Sequence, residues 1–231
     1  MFYYIKYYFI SCLNNFKSLN FNLNSNLFYK NSAMNGGVIY FSNINNEENI
    51  KEIHESIIIE NNIFKENNAN NNGGAMNLEF NKLNIEKYNN NSITNNVAGA
   101  FGGGVYLSNY NTNENISFSM FNNPHFENNL AGSYADDYSA RPSFLYLLND
   151  TMENGIIKVK VGDYISLLFI LKDIFNKKIM DKPNYYSVIK LRLLLFNKYS
   201  NSKTNNNYRL LGNACNFIDG IKIIAFFKFY Y

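Results

Sequence analysis

The sequence predicts an all-β chain: a β-solenoid in its front part and a smaller β-sandwich behind it. Three observations carry this reading. One residue pattern occurs three times and begins a fourth. The apolar residues after each glycine pair alternate with period two, the spacing of a strand with one buried face. Charge then changes sign along the chain: residues 1–150 carry 8 Lys or Arg against 13 Asp or Glu, and residues 151–231 carry 13 against 5. The expected domains are 1–142, with the repeats clearest over 16–142, and 143–231.

Bulk properties fit that division. A chain of 231 residues accommodates one large or two modest domains. Its 46% hydrophobic and 17% aromatic residues are enough for a core and argue against wholesale disorder. The net charge of +3 is small and its basic residues are scattered, which argues against nucleic acid as a partner. Asn supplies 46 residues, 36 of them before position 151. Codons for the abundant residues are AT-rich, so residue order identifies a repeat where the Asn count does not.

Cys12 and Cys215 are the two cysteines; so far apart, they make neither a disulfide framework nor a metal site. The start, MFYYIKYYFISCLNNF, is apolar but interrupted by Lys6, and lacks a basic opening and a clear cleavage site. It reads as a degenerate signal peptide over residues 1–15 or, preferably, as a buried strand or the cut edge of a longer protein. No run reaches the roughly 18 apolar residues that span a membrane, so this chain is expected to be soluble or secreted.

The repeat is best seen in FKENNANNNGGAMNLEF. Phe64, Asn67, Ala69, Gly73, Gly74, Ala75, Met76 and Leu78 define it. Phe28, Asn31, Ala33, Gly36, Gly37, Val38, Ile39 and Phe41 fill it upstream. Ile93, Asn96, Ala98, Gly102, Gly103, Gly104, Val105 and Leu107 fill it downstream. A fourth copy opens at Phe126, Asn129 and Ala131 and loses its glycines. The Asn intervals are 36, 29 and 33, in the range of solenoid repeats.

Stacked circuits should bring Ile39, Met76 and Val105 into one interior column and Phe41, Leu78 and Leu107 into the next. A second alternating run between glycine pairs holds Ile57 and Ile59, Leu83 and Ile85, then Ile116, Phe118 and Met120. Glycine and Asn suit sharp corners because both enter the left-handed region. Gly74 is expected at such a corner, in a conformation closed to branched residues. Equivalent Asn residues are expected to stack as an amide ladder.

FKENNANNNGGAM and NNVAGAFGGGVYL resemble the Phe-x-x-Asn and Gly-Gly-Ala-Ile repeats of the polymorphic outer membrane protein family, as found in large surface proteins of protists with AT-rich genomes. Ile93 stands where the family has Phe, and Val38 and Gly104 where it has Ala. The resemblance implies a right-handed parallel β-helix of the pectin-lyase-like type. FENNLAGSYADDYSARP resembles the closing coil of such tracts. In the back part, GDYISLLFILKDIFNKKIM is similar to the strand and aspartate turn of bacterial immunoglobulin-like surface domains. That implies a β-sandwich, whole or truncated, with a turn at Asp173, Phe175 and Asn176. Asp219-Gly220 reads as a hairpin turn, 200–207 as a loop, and IKLRLLLF as strand or helix.

Pectin-lyase-like folds host polysaccharide lyases and hydrolases, which need clustered carboxylates or calcium. Asp136, Asp137 and Arg141 are the one such cluster; they read first as a turn and solvated cap. His54 and His125 have no partner at triad or ligand spacing. The glycine-rich NVAGAFGGGVYL lacks the Gly-Lys-Ser/Thr ending of a phosphate loop. The outward positions beside the glycine pairs read as Val38, Tyr40, Ala75, Asn77, Glu79, Gly104 and Tyr106, with one carboxylate, Glu79, and no partner for it. Tyr40 and Tyr106 offer sugar stacking or plain surface packing. No catalytic, cofactor-binding or metal-binding residue is expected.

The favoured function is a non-catalytic extracellular module, spacer or adhesive surface. Its partners would be glycans or other surface proteins, and any membrane anchor would lie in a longer parent. The alternative is a carbohydrate-active enzyme of the pectin-lyase-like fold. Sequons at Asn90, Asn115 and Asn149 are generic in so Asn-rich a chain.

Overall fold

Strand pairing, followed in chain order, builds the molecule. The computed structural model describes residues 3–5, 10–13, 18–42, 54–79, 85–109, 125–148, 164–180, 190–192, 209–211, 214–216 and 221–230. They divide between two compact units, Met1–Arg141 and Pro142–Tyr231. All regular structure among them is β, with no helix.

The first unit opens with β1 (Tyr3–Ile5), β2 (Ile10–Leu13) and β3 (Ser18–Asn24). The next circuit holds β4 (Asn26–Tyr29), β5 (Ser32–Ala33), β6 (Ile39–Ser42) and β7 (His54–Glu60). The third holds β8 (Ile63–Lys65), β9 (Asn68–Ala69), β10 (Met76–Glu79) and β11 (Ile85–Asn89). The fourth holds β12 (Ser92–Thr94), β13 (Val97–Ala98) and β14 (Val105–Asn109). The last holds β15 (His125–Glu127), β16 (Leu130–Ala131) and β17 (Tyr138–Ala140).

Equivalent strands pair in parallel across circuits. They form a phenylalanine sheet (β1-β4-β8-β12-β15), an alanine sheet (β5-β9-β13-β16), a glycine sheet (β2-β6-β10-β14-β17) and a return sheet (β3-β7-β11). This arrangement is consistent with a parallel β-helix.

The hydrophobic pattern sets the register. Met76 lies beside Ile39 and Val105, and Leu78 beside Phe41 and Leu107; all six are buried. Phe28 stacks on Phe64 with ring centroids 4.9 Å apart, and Ile93 continues that column. Each such side chain contributes roughly 1.5–3 kcal/mol of burial. A one-residue slip would turn a whole column outward.

Two details depart from strict alternation. On the return sheet Ile57 and Ile59 are buried, but the residue beside Ile59 is Tyr88, because the register shifts between Ile85 and Lys87. Tyr88 is buried with its hydroxyl 3.9 Å from the Met76 sulfur. Leu83, Ile116, Phe118 and Met120 lie outside the described residues. At the glycine sheet, Val38, Ala75 and Gly104 face inward, not outward as alternation suggests. Val38 and Ala75 are fully enclosed, and a Cβ on Gly104 would meet the Ile93 side chain and the Phe126 ring. Hydrogen bonding gives the reason. The N–H groups of both Val38 and Ile39 donate to Ala75 O, and those of Ala75 and Met76 to Gly104 O. Two residues thus share one acceptor, as in a bulge, and two consecutive side chains point inward.

In the second unit, β18 (Pro142–Leu148), β19 (Tyr164–Asp173), β21 (Arg209–Leu211) and β23 (Ile221–Tyr230) form an antiparallel sheet ordered β18-β19-β23-β21. Strands β20 (Lys190–Arg192) and β22 (Ala214–Asn216) form a separate antiparallel ladder. Leu167, Phe169 and Leu171 alternate into the interior. The expected turn follows: the Asp173 carboxylate accepts the N–H groups of Phe175 and Lys177 at 3.0 and 2.9 Å. Asn176 has φ 62. Within IKLRLLLF, Lys190–Arg192 is strand; the 200–207 loop and Asp219-Gly220 lie outside the described residues. These strands establish an antiparallel sheet and do not single out an immunoglobulin-like sandwich.

Candidate functional site

Corners determine what the first unit presents to solvent. Before β4, β8 and β12 stands a residue at positive φ, Ser25, Asn61 or Asn90. After the same strands stands another, Lys30, Glu66 or Asn95. Each is followed by an Asn whose side chain turns inward. After the strands, Asn31 Nδ2 donates to Asn67 Oδ1 at 2.9 Å, Asn67 to Asn96 at 2.9 Å and Asn96 to Asn129 at 3.0 Å. Each acceptor Oδ1 also takes the backbone N–H of the preceding ladder Asn. The Nδ2 groups of Asn67, Asn96 and Asn129 also donate to the carbonyls of Phe28, Phe64 and Ile93. These enclosed amides are therefore satisfied, as burial requires.

A second ladder, absent from the sequence reading, precedes the same strands. Asn26 Nδ2 donates to Asn62 Oδ1 at 3.0 Å, and Asn62 Nδ2 to Asn91 Oδ1 at 3.1 Å. Its signal was present: Asn26, Asn62 and Asn91 share the 36 and 29 intervals of the first ladder. The corresponding position one circuit on is Pro124, which has no amide side chain and broke the pattern.

The closing circuit places Asp136 and Asp137 at the ends of these devices. Asp137 Oδ1 accepts the Asn129 amide at 3.1 Å, ending the ladder. Asp136 Oδ1 accepts the Ala131 N–H at 2.9 Å, closing the last strand of the alanine sheet. Ala135, at φ 56, takes the position of Gly102 one interval of 33 earlier. Arg141 is exposed, and its backbone N–H donates to Leu107 O. The acidic pair is a cap built into the hydrogen bonding of the last circuit.

The glycine motif has two distinct jobs. Gly36, Gly73 and Gly102 adopt positive φ, with Gly73 at 68°. Gly74 does not; a Cβ there would lie 1.9 Å from Gly103 O of the next circuit. The expectation for Gly74 is thus corrected: close approach of stacked backbones excludes a side chain, and Gly73 holds the special conformation.

Tyr40, Asn77, Tyr106 and Ser139 share the outward row of the glycine sheet. Tyr106 is only 4% exposed and stacks with Phe101 at 5.9 Å. It is therefore closed to a sugar ring, whereas Tyr40 is half-buried. Asn77 is 2% exposed and Ser108 Oγ lies 3.3 Å from its Oδ1. Ser139 Oγ is enclosed without a hydrogen-bond partner. The side chains of Glu79 and His54 lie outside the described ones.

The phenylalanine sheet carries charged residues on its outer face. Glu66 lies 3.5 Å from Lys30 and 3.7 Å from Lys65. Partial desolvation is the largest influence on Glu66 and pushes its carboxyl up. The Tyr29 hydroxyl and the two lysines outweigh it and hold the group below its ordinary value. The Tyr29 hydroxyl and then Glu66 hold Lys30 above its own. His125, exposed at the sheet's end, meets Glu127 at 3.2 Å. Burial pushes the Tyr88 phenol far up, which keeps it neutral. Among the described residues no three His, Cys, Asp or Glu side chains converge as a metal site. No helix among them is long and apolar enough to cross a membrane.

Comparison with family models gave no match, and comparison with curated proteins and with solved structures gave none either.

Proposed function

We propose that the first unit is a right-handed parallel β-helix of the pectin-lyase-like type. In this reading it acts outside the cell as a non-catalytic spacer or adhesive surface, with the second unit as its neighbour. The Phe-x-x-Asn and glycine repeats, and their resemblance to polymorphic outer membrane proteins, support this assignment. So does the near-universal right-handed crossover between parallel strands. One observation carries the non-catalytic reading: the adjacent acids Asp136 and Asp137 are engaged in capping the last circuit. Glycoside hydrolysis needs two carboxyl groups across a scissile bond, roughly 5–10 Å apart. Asp136 and Asp137 are instead neighbours in the chain, and each accepts a hydrogen bond from its own circuit. The partners are glycans or other surface proteins, held by ordered outer faces as on other solenoids.

The test is incubation with plant, algal and bacterial polysaccharides, with and without calcium, reading unsaturated product and reducing ends. No turnover above a heat-killed control is expected. Turnover that disappears in an Asp136→Asn, Asp137→Asn variant with unchanged circular dichroism would establish the carbohydrate-active enzyme instead.

A further inference from the structure

We propose that Asn90 is an N-glycan acceptor; the inference rests on the extracellular location proposed above. Of the sequons at Asn90, Asn115 and Asn149, only that of Asn90 lies within the described residues. Its surroundings distinguish it from the amides beside it. Asn91, one residue on, is 1% exposed, and its Nδ2 is committed to Ile59 O at 2.8 Å. Asn90 is exposed, at φ 51 on the corner between the return and phenylalanine sheets. Asn tolerates this conformation better than most residues do. Ser92 opens β12 and completes Asn-Asn-Ser with no intervening proline, the sequence requirement for acceptance.

The corner leaves room for a saccharide. Asn61, one circuit back, and Asn89, one residue before, are exposed like Asn90 itself, so neither packs over it. The Asn90 amide has two hydrogens. One serves the bond to Asn61 Oδ1 at 2.8 Å, and the modification replaces the other, so the fold keeps its contact. The co-reactant is an oligosaccharide carried on a lipid pyrophosphate. Nδ2 forms a bond to the sugar C1, the C1–O bond to pyrophosphate breaks, and lipid pyrophosphate leaves with the electron pair. The amide gives up one proton, and nothing is oxidised or reduced. The glycan would cover an outward hydrogen-bonded run, in which Asn90 donates to Asn61 and Asn61 donates to Asn24 at 3.2 Å. Adhesive contacts would then fall to other faces.

The full chain is expressed in a eukaryotic host behind a supplied, cleavable secretion leader. The secreted protein is mapped by peptide mass before and after enzymatic glycan release, which converts the modified Asn to Asp. The Asn90 peptide is expected to carry glycan and to lose it in Ser92→Ala and in Asn90→Gln, with the β-rich circular dichroism spectrum kept. Ser92→Ala preserves the Asn90 side chain and so separates lost acceptance from lost folding. A bare Asn90 peptide from the secreted, folded chain overturns the site. Fractionating cells that make the protein naturally tests the location separately. A cytosolic pool with bare Asn90, beside an occupied Asn90 in the leader-directed chain, overturns the location and leaves the acceptor standing.

Discussion

The two units solve one problem, the buried polar group, in opposite ways. In Met1–Arg141 the enclosed Asn31, Asn67, Asn96 and Asn129 bond to one another across 29 to 36 residues of chain. In Pro142–Tyr231 the fully enclosed Asp173 is satisfied by N–H groups two and four residues away. Periodicity explains the contrast. A sequence that repeats places the same amide at the same depth in every circuit, so each finds a partner of its own kind. At Asp173, outside the repeat, the turn itself brings N–H donors to a buried carboxylate. The polar interior of the first unit is therefore collective, whereas the turn at Asp173 supplies two N–H donors to its own carboxylate.

Substitution at the middle of the first ladder should have the largest effect. Asn96→Ala strands the Asn67 N–H and the Phe64 carbonyl and opens a cavity. With about 1–3 kcal/mol for each stranded group, the loss should be on the order of 3–5 kcal/mol in denaturant unfolding. Hydrogen exchange should rise at β8 and β12 together. A change confined to one strand would break the collective description.

Gly74→Val comes next. Its Cβ would drive apart two stacked backbones, so the cost should reach the upper part of the roughly 1–3 kcal/mol of overpacking. Ala135→Gly should instead be neutral or slightly stabilising, by less than about 1 kcal/mol, because it relieves a side chain at positive φ. Equal midpoints for Gly74→Val and the parent would show that the circuits do not stack as closely as described.

Asp173→Ala should cost about 1–3 kcal/mol, with faster exchange limited to the 173–179 turn. Spread along β19 and β18 would show that Asp173 holds more than its own turn. Asp137→Ala, at the solvent-side end of the ladder, should cost about 1 kcal/mol, since water replaces one of its partners. Smallest of all is Glu66→Gln on the exposed outer face, where ion pairs contribute little. Because the Glu66 carboxyl is held below its ordinary value, its contribution is present above the unfolded-state carboxylate range and fades as pH falls. Parent and Glu66→Gln should therefore unfold alike in acid and nearly alike at neutral pH. A large gap at neutral pH that survives high salt would show a stronger pair.

Much of the first unit could be read from residue order. Phe28, Phe64 and Ile93, with Asn31, Asn67 and Asn96, recur in phase, and a side chain repeated at one depth has few other fates. The columns Ile39–Met76–Val105 and Phe41–Leu78–Leu107 followed from period two, because a strand with one buried face admits no other register. The candidate acids stood out too, since Asp136 occupies the position of Gly37, Gly74 and Gly103. Other features were hidden. Asn26, Asn62 and Asn91 have nothing but their spacing to mark them out amid so much Asn. The inward turn of Val38 and Ala75 depends on two N–H groups sharing one carbonyl, a main-chain event that side-chain pattern does not encode. Tyr106 alternates outward by sequence and is closed off by tertiary packing.

The sequence by itself determined the all-β class, the circuit length and which residues form the interior columns, because burial and period act through side-chain identity. Tertiary structure alone decided which glycine is strained and which is merely crowded, and that Tyr88 replaces an aliphatic residue in the return column. It also decided that the acidic pair ends the stack of circuits. Each of these depends on the distance between backbones one circuit apart, a quantity fixed only when the circuits are laid against one another.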